Sequence, residues 1–87
     1  MRDLFTTPAF DRDIRAAPSL IVDDIRTLTP ELLRDPISPQ LGVKKLIGVQ
    51  GSLYRIRLNE YRLVYSYTLK TVVFRRLAHR STVYRGL

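Results

Sequence analysis

Arg55, Arg57 and Arg62 are the residues whose types and spacing point most directly to chemistry, since all three stand in segments where charged and apolar residues alternate. A guanidinium stays protonated at any physiological pH and offers phosphate a planar fork of donors. Two residues apart in an extended chain, Arg55 and Arg57 share one face. Three cations packed together cost free energy in the empty protein, and an incoming phosphate relieves that cost. His79 is the single histidine and the natural proton donor on chemical grounds, because imidazole ordinarily titrates near neutrality. A lone histidine also serves structural ends. Tyr84 carries a phenol of ordinary pKa about 10, so it either caps a core or becomes a base where cations favour the phenolate. Lys44 and Lys45 read equally as nucleic-acid backbone contacts or as solvated loop lysines.

The charge is unevenly spread. Residues 1–43 hold five basic and seven acidic residues, a net of −2; residues 44–87 hold ten basic residues and Glu60, a net of +9. The halves sum to the chain's +7, and the skew suits a polyanion or an acidic protein partner. Cysteine is absent, which excludes disulfides, thiolate catalysis and thiolate metal sites. With one histidine, a zinc site would need carboxylates that the second half almost lacks, so neither metal nor cofactor is expected. No apolar run approaches the roughly 18 residues of a membrane span. The opening MRDLFTTPAFDRD carries acids and no apolar signal-peptide region. A cytoplasmic protein with no membrane contact is expected.

The elements that must position these residues follow from periodicity. Eighty-seven residues suit one domain, 1–87, with no linker or repeat to divide it. Residues 2–6 read as an opening strand. Thr7-Pro8 signals a helix start, with a helix to about Ala17 that buries Phe10 and Ile14. Ile21, Ile25, Leu28 and Leu32 fall on one face of a second helix, which Pro30 should kink or break. Residues 35–42 read as a loop, from two prolines and a glycine. Residues 53–58 and 61–67 then alternate with period two around Asn59-Glu60. A two-residue turn there sets Leu58 opposite Tyr61, Ile56 opposite Leu63 and Tyr54 opposite Tyr65 on an apolar face. Arg57 then meets Arg62, and Arg55 meets Val64, on the other. A third strand over 71–77 adds Val72 and Phe74 to the apolar face and Arg75 to the basic one. The fold expected is α+β: two N-terminal helices packed on a mostly antiparallel sheet whose other face stays open and cationic.

The run Lys45-Leu46-Ile47-Gly48, then Leu53-Tyr54-Arg55-Ile56-Arg57, then Tyr61-Arg62-Leu63-Val64-Tyr65, resembles the core signature of RelE/ParE toxins. His79-Arg80-Ser81-Thr82-Val83-Tyr84-Arg85 is similar to that family's C-terminal ending. The resemblance implies the toxin of a type II toxin–antitoxin pair, held in check by a cognate acidic antitoxin. In the RelE branch it implies a metal-independent endoribonuclease acting on messenger RNA, commonly in the ribosomal A site; in the ParE branch, a non-enzymatic inhibitor of DNA gyrase. It matches Arg55 and Arg57 to the paired basic positions of the second strand, Arg62 to the Tyr-Arg-Leu-Val-Tyr arginine and Tyr84 to the nucleases' C-terminal tyrosine. Arg80 matches a nearby basic position. The chain departs from the family in a shorter stretch between Phe74 and Tyr84, in arginines where lysines stand, and in ending three residues after Tyr84.

RNA cleavage through the 2′-OH needs a base, cations for the charge on phosphorus and an acid for the leaving 5′-oxygen. On the RelE-like reading, Tyr84 is the base, Arg55, Arg57 and Arg62 are the cations, and either His79 or Arg80 assists the leaving group. Lys44, Lys45 and Arg75 contact RNA or the ribosome. The tyrosines at 54, 61 and 65 are expected to turn inward.

Overall fold

The computed structural model describes residues 1–47 and 51–85. Gly48, the last residue of the Lys45–Gly48 run, lies outside them. Helix α1 spans Pro8–Ala16 and follows strand β1, Asp3–Thr6. Thr7 starts the helix: its hydroxyl accepts from the Phe10 amide at 3.1 Å, and proline fills the first turn. Helix α2 spans Ser19–Arg34 and buries Ile21, Ile25 and Leu32. Pro30 does not break it. The carbonyl that loses its partner belongs to exposed Arg26, where water can replace the bond.

Strands β2 (Lys44–Lys45), β3 (Tyr54–Leu58), β4 (Tyr61–Tyr67) and β5 (Thr71–His79) complete one sheet in the order β1-β5-β4-β3-β2. β1 runs parallel to β5, and every other pairing is antiparallel. The hairpin has the register that alternation demands: Tyr54 faces Tyr65, Arg55 faces Val64, Ile56 faces Leu63, Arg57 faces Arg62 and Leu58 faces Tyr61. Asn59 at φ 55° supplies the left-handed step of a tight connection, a conformation asparagine tolerates better than most residues. Between β4 and β5 the register shifts from Val64 opposite Arg76 to Tyr65 opposite Phe74, which leaves Arg75 in a bulge.

Both helices cover one face of the sheet. Phe10, Ile21, Ile25 and Leu32 meet Ile56, Leu58, Leu63, Tyr65, Val72, Phe74 and Leu77 in a single core. Tyr54 and Tyr61 pack against it, and the buried Tyr65 hydroxyl donates to the Pro36 carbonyl. The inward reading of the three tyrosines holds. Val64 and Val83 are also fully buried but stand outside this cluster, Val64 on the opposite face by its place in β4.

Three features differ from the reading of the sequence. β5 continues two residues past Leu77, to His79. Lys44 and Lys45 form a short edge strand rather than loop. Beyond the end of β1, the open edge of β5 is met by α1, where one Asp13 oxygen accepts from both the Leu77 amide (2.9 Å) and the Arg76 Nε (2.8 Å). Asp13 thereby satisfies an edge N–H that would otherwise lack a strand partner.

Candidate functional site

The open face is built row by row from the hairpin register. Arg57 and Arg62 are cross-strand partners, and Ala78 extends their row onto β5. In the next row Lys44, Arg55 and Val64 lie side by side on β2, β3 and β4. Like charges directly opposite one another are destabilising, so nothing in folding alone calls for Arg57 across from Arg62.

Arg55 is the most enclosed of these cations, with 7% of its surface exposed. One guanidinium nitrogen donates to the Gly42 carbonyl at 3.3 Å. Burial pushes its pKa down from the ordinary arginine value, and the neighbouring charges of Arg57 and Arg62 push the same way. The Tyr84 phenol beside it works in the opposite direction. Three arginines and a tyrosine far apart in sequence thus converge. Gly42, at φ 63°, turns the chain so that residues 40–44 wall a groove of about 500 Å³ against Arg55 and Arg57. The Gly42 carbonyl was not among the residues expected here. Its signal was the glycine ending a Pro-rich loop just ahead of the lysine pair.

Arg62 is held at the hairpin end. One of its nitrogens donates to the carbonyls of Asn59 (2.8 Å) and Tyr61 (2.9 Å), which aims the side chain across the turn. Tyr84 is 42% exposed, and Val83 beside it is fully buried. A buried valine next to a partly exposed tyrosine anchors this part of the chain, with the Tyr84 side chain against Arg55.

The remaining expected residues sit elsewhere. His79 pairs with Tyr61, so it belongs to the helix-side row, with the two rings edge to face at 6.0 Å. Its Nδ1 lies 2.8 Å from the Ser81 hydroxyl and accepts from the Ser81 amide at 3.2 Å. Arg80 forms an exposed ion pair with Glu60 at 2.8 Å, and its amide donates to the Glu60 carbonyl at 2.7 Å. Arg80 fastens the end of β5 to the hairpin turn, and His79 packs on Tyr61 and bonds Ser81; neither joins the arginines. Lys44 lies in the Arg55 row, but Lys45 pairs with Tyr54 and falls on the other side. Arg75, raised in the bulge, donates from Nε to the Ser66 hydroxyl at 2.9 Å and remains exposed. Arg76 is drawn aside by Asp13. Among the described residues, no three His, Cys, Asp or Glu side chains group closely enough to hold a metal.

No protein-family model and no curated protein sequence matches the chain. Solved structures do. A chain of the RelB–RelE antitoxin–toxin complex of Methanococcus jannaschii superposes with a TM-score of 0.76 at 26% identity, over 95% of this chain and 98% of that one. The toxin–antitoxin complex RelBE2 of Mycobacterium tuberculosis gives 0.74 at 26% identity, over 91% and 98%. The chain has the fold of the RelE-like type II toxins. The archaeal RelE–RelB complex of Pyrococcus horikoshii shares the same fold, at a TM-score of 0.76 and 22% identity over 93% and 97% of the two chains. In this RelE-like fold the two helices and the sheet's apolar face form the shared scaffold, and the arginine rows occupy the face the helices leave open. No helix among the described residues is long and apolar enough to cross a membrane.

Proposed function

We propose that this toxin is a messenger RNA endoribonuclease, acting at the ribosomal A site in the cytoplasm and restrained by a cognate acidic antitoxin. The observation that supports it is the convergence of Arg55, Arg57, Arg62 and Tyr84 on one open sheet face. A bound phosphate there would meet fixed cations that need no reorganisation as charge gathers on phosphorus. The arginines supply the positive charge that a metal supplies in other nucleases. Tyr84, whose phenol lies beside Arg55, would take the 2′-OH proton as general base. Attack on phosphorus then yields a cyclic phosphate and a 5′-oxygen. With His79 bonded to Ser81 and Arg80 paired with Glu60, that oxygen would take its proton from solvent. The antitoxin reading draws on the structural neighbours, which come from antitoxin–toxin complexes.

The test is single-turnover cleavage of a programmed ribosome by the wild-type, Tyr84→Phe and Arg57→Ala proteins. Wild-type rates in both folded variants would remove the site. A second reading, a ParE-like gyrase inhibitor, is favoured by the absence of His79 and Arg80 from the arginine rows, since a binding face has no need of a proton donor. Arrest of replication with intact messages would establish it.

A further inference from the structure

β1 carries a second feature on the open face. Phe5 pairs with Val73, which lies between the core residues Val72 and Phe74 and therefore points away from the helices. Leu4, the alternate neighbour of Phe5, lines a groove on the helix side with Phe10 and Ile25. Phe5 is 53% exposed, on the same face as the arginines. Next to it the bulge lifts Arg75 over Ser66, the β4 partner of Val73. One guanidinium edge holds that serine, and the residue as a whole is exposed to solvent. An apolar ring on β1 and a free-edged guanidinium on β5 thus share this face, the ring three strand intervals and the guanidinium two from Arg55 and Arg57 on β3. At roughly 4.8 Å per interval the ring lies about 14 Å away, a span of a few nucleotides.

Proteins that hold single-stranded nucleic acid pair a cationic track with aromatic platforms on which bases stack. We propose that Phe5 and Arg75 form a second RNA subsite, in which a base flanking the reacting phosphate stacks on the Phe5 ring and its phosphate meets Arg75. The inference rests on the RNA reading of the arginine rows and extends it across the sheet. Charge favours RNA as the occupant: Lys44, Arg55, Arg57, Arg62 and Arg75 mark the path from β2 to β5. Asp3, two residues before Phe5 on β1, closes the track at its far corner.

The chain contains no tryptophan, so Phe5→Trp installs a single reporter at the subsite. It is titrated with a 2′-O-methyl oligouridylate, which lacks the nucleophile and survives binding. Quenching of the indole is expected, with the same midpoint as RNA binding followed by anisotropy of a labelled strand. Phe5→Leu should weaken the longer oligonucleotide about tenfold, in the range of one lost base–aromatic stack. It should leave a dinucleotide confined to the arginine rows unaffected, and Phe5→Tyr should restore affinity. RNA that binds in an Arg57-dependent way without quenching the indole, and with equal affinity for Phe5→Leu, overturns the subsite and leaves the proposed function standing. Wild-type protein that binds no RNA overturns both. An indole that responds only to an acidic polypeptide overturns the subsite in favour of a protein contact.

Discussion

The two faces of the β3–β4 hairpin are made by the same twelve residues and do opposite work. On the helix side Ile56, Leu58, Leu63 and Tyr65 are buried against α1 and α2. Each apolar side chain removed from water there stabilises the fold by about 1.5–3 kcal/mol. On the other side, at alternate positions, Arg57 faces Arg62 with Arg55 two residues along β3, and Arg55 is further penalised by burial. One face accumulates stability and the other holds a load that only a polyanion lightens. Charge repulsion maintained beside a well-packed core is a sign of binding.

The comparison yields expectations of decreasing size. Tyr84→Phe keeps the ring and removes the hydroxyl, so single-turnover cleavage should fall about 10²–10⁴-fold with the melting temperature nearly unchanged. Arg57→Ala should lose about 10²–10³ in the same assay. A melting temperature that fell along with the rate would give the open face a structural role and blur the contrast.

On the buried face, Leu63→Ala opens a cavity at a fully enclosed position and should cost about 2–5 kcal/mol in denaturant unfolding. Cleavage by the folded fraction should be unaffected. The sheet's centre would be looser than described if that cost were below 1 kcal/mol.

Tyr65→Phe removes a buried hydroxyl and strands the Pro36 carbonyl, a loss of about 1–3 kcal/mol. Burial raises the Tyr65 pKa above its ordinary value of 10.0, and Tyr67 and Tyr54 nearby push it the same way. The phenol is therefore protonated in the folded state at pH values where the unfolded chain ionises. Its contribution is whole below the ordinary phenol pKa and is lost as pH rises from there through the raised folded value. Unfolding free energy followed into that alkaline window should fall less steeply for Tyr65→Phe than for the wild type.

The smallest effect tests the load itself. Arg57→Gln should leave stability within about 0.5 kcal/mol or raise it slightly. Added phosphate should raise the wild-type melting temperature more than that of the variant. Equal shifts would mean that Arg57 carries no strain for an anion to relieve.

Much of this contrast was legible in the sequence because a period of two fixes which residues share a face. Once Ile56 and Leu63 must be inside, Arg55, Arg57 and Arg62 must be outside, and a slip by one residue would bury charge. The α2 face was legible for the same reason at period 3.6. Side chains steered by partners distant in sequence were not. His79 follows the extended β5 onto the Tyr61 side, whereas the alternation read from the sequence stopped at Leu77. Arg80 answers to Glu60 and Arg76 to Asp13, and neither acid has a spacing that announces its partner. The bulge at Arg75 leaves no mark in composition, and a two-residue strand such as β2 is too short to show a period.

The place of β5 in the strand order has a consequence for the birth of the molecule. Asp3 pairs with Thr71 and Thr6 with Phe74, so the earliest strand to be synthesised waits for nearly the latest before it has a neighbour. Pairings of such long range are slow to form, and their unpaired edges are exposed meanwhile. Through most of its synthesis the chain can build helices and the β3–β4 hairpin, but not the closed sheet that sets the arginine rows, β1 and Tyr84 in one arena. The arginine rows therefore join β1 and Tyr84 in one surface only once β5 has been delivered.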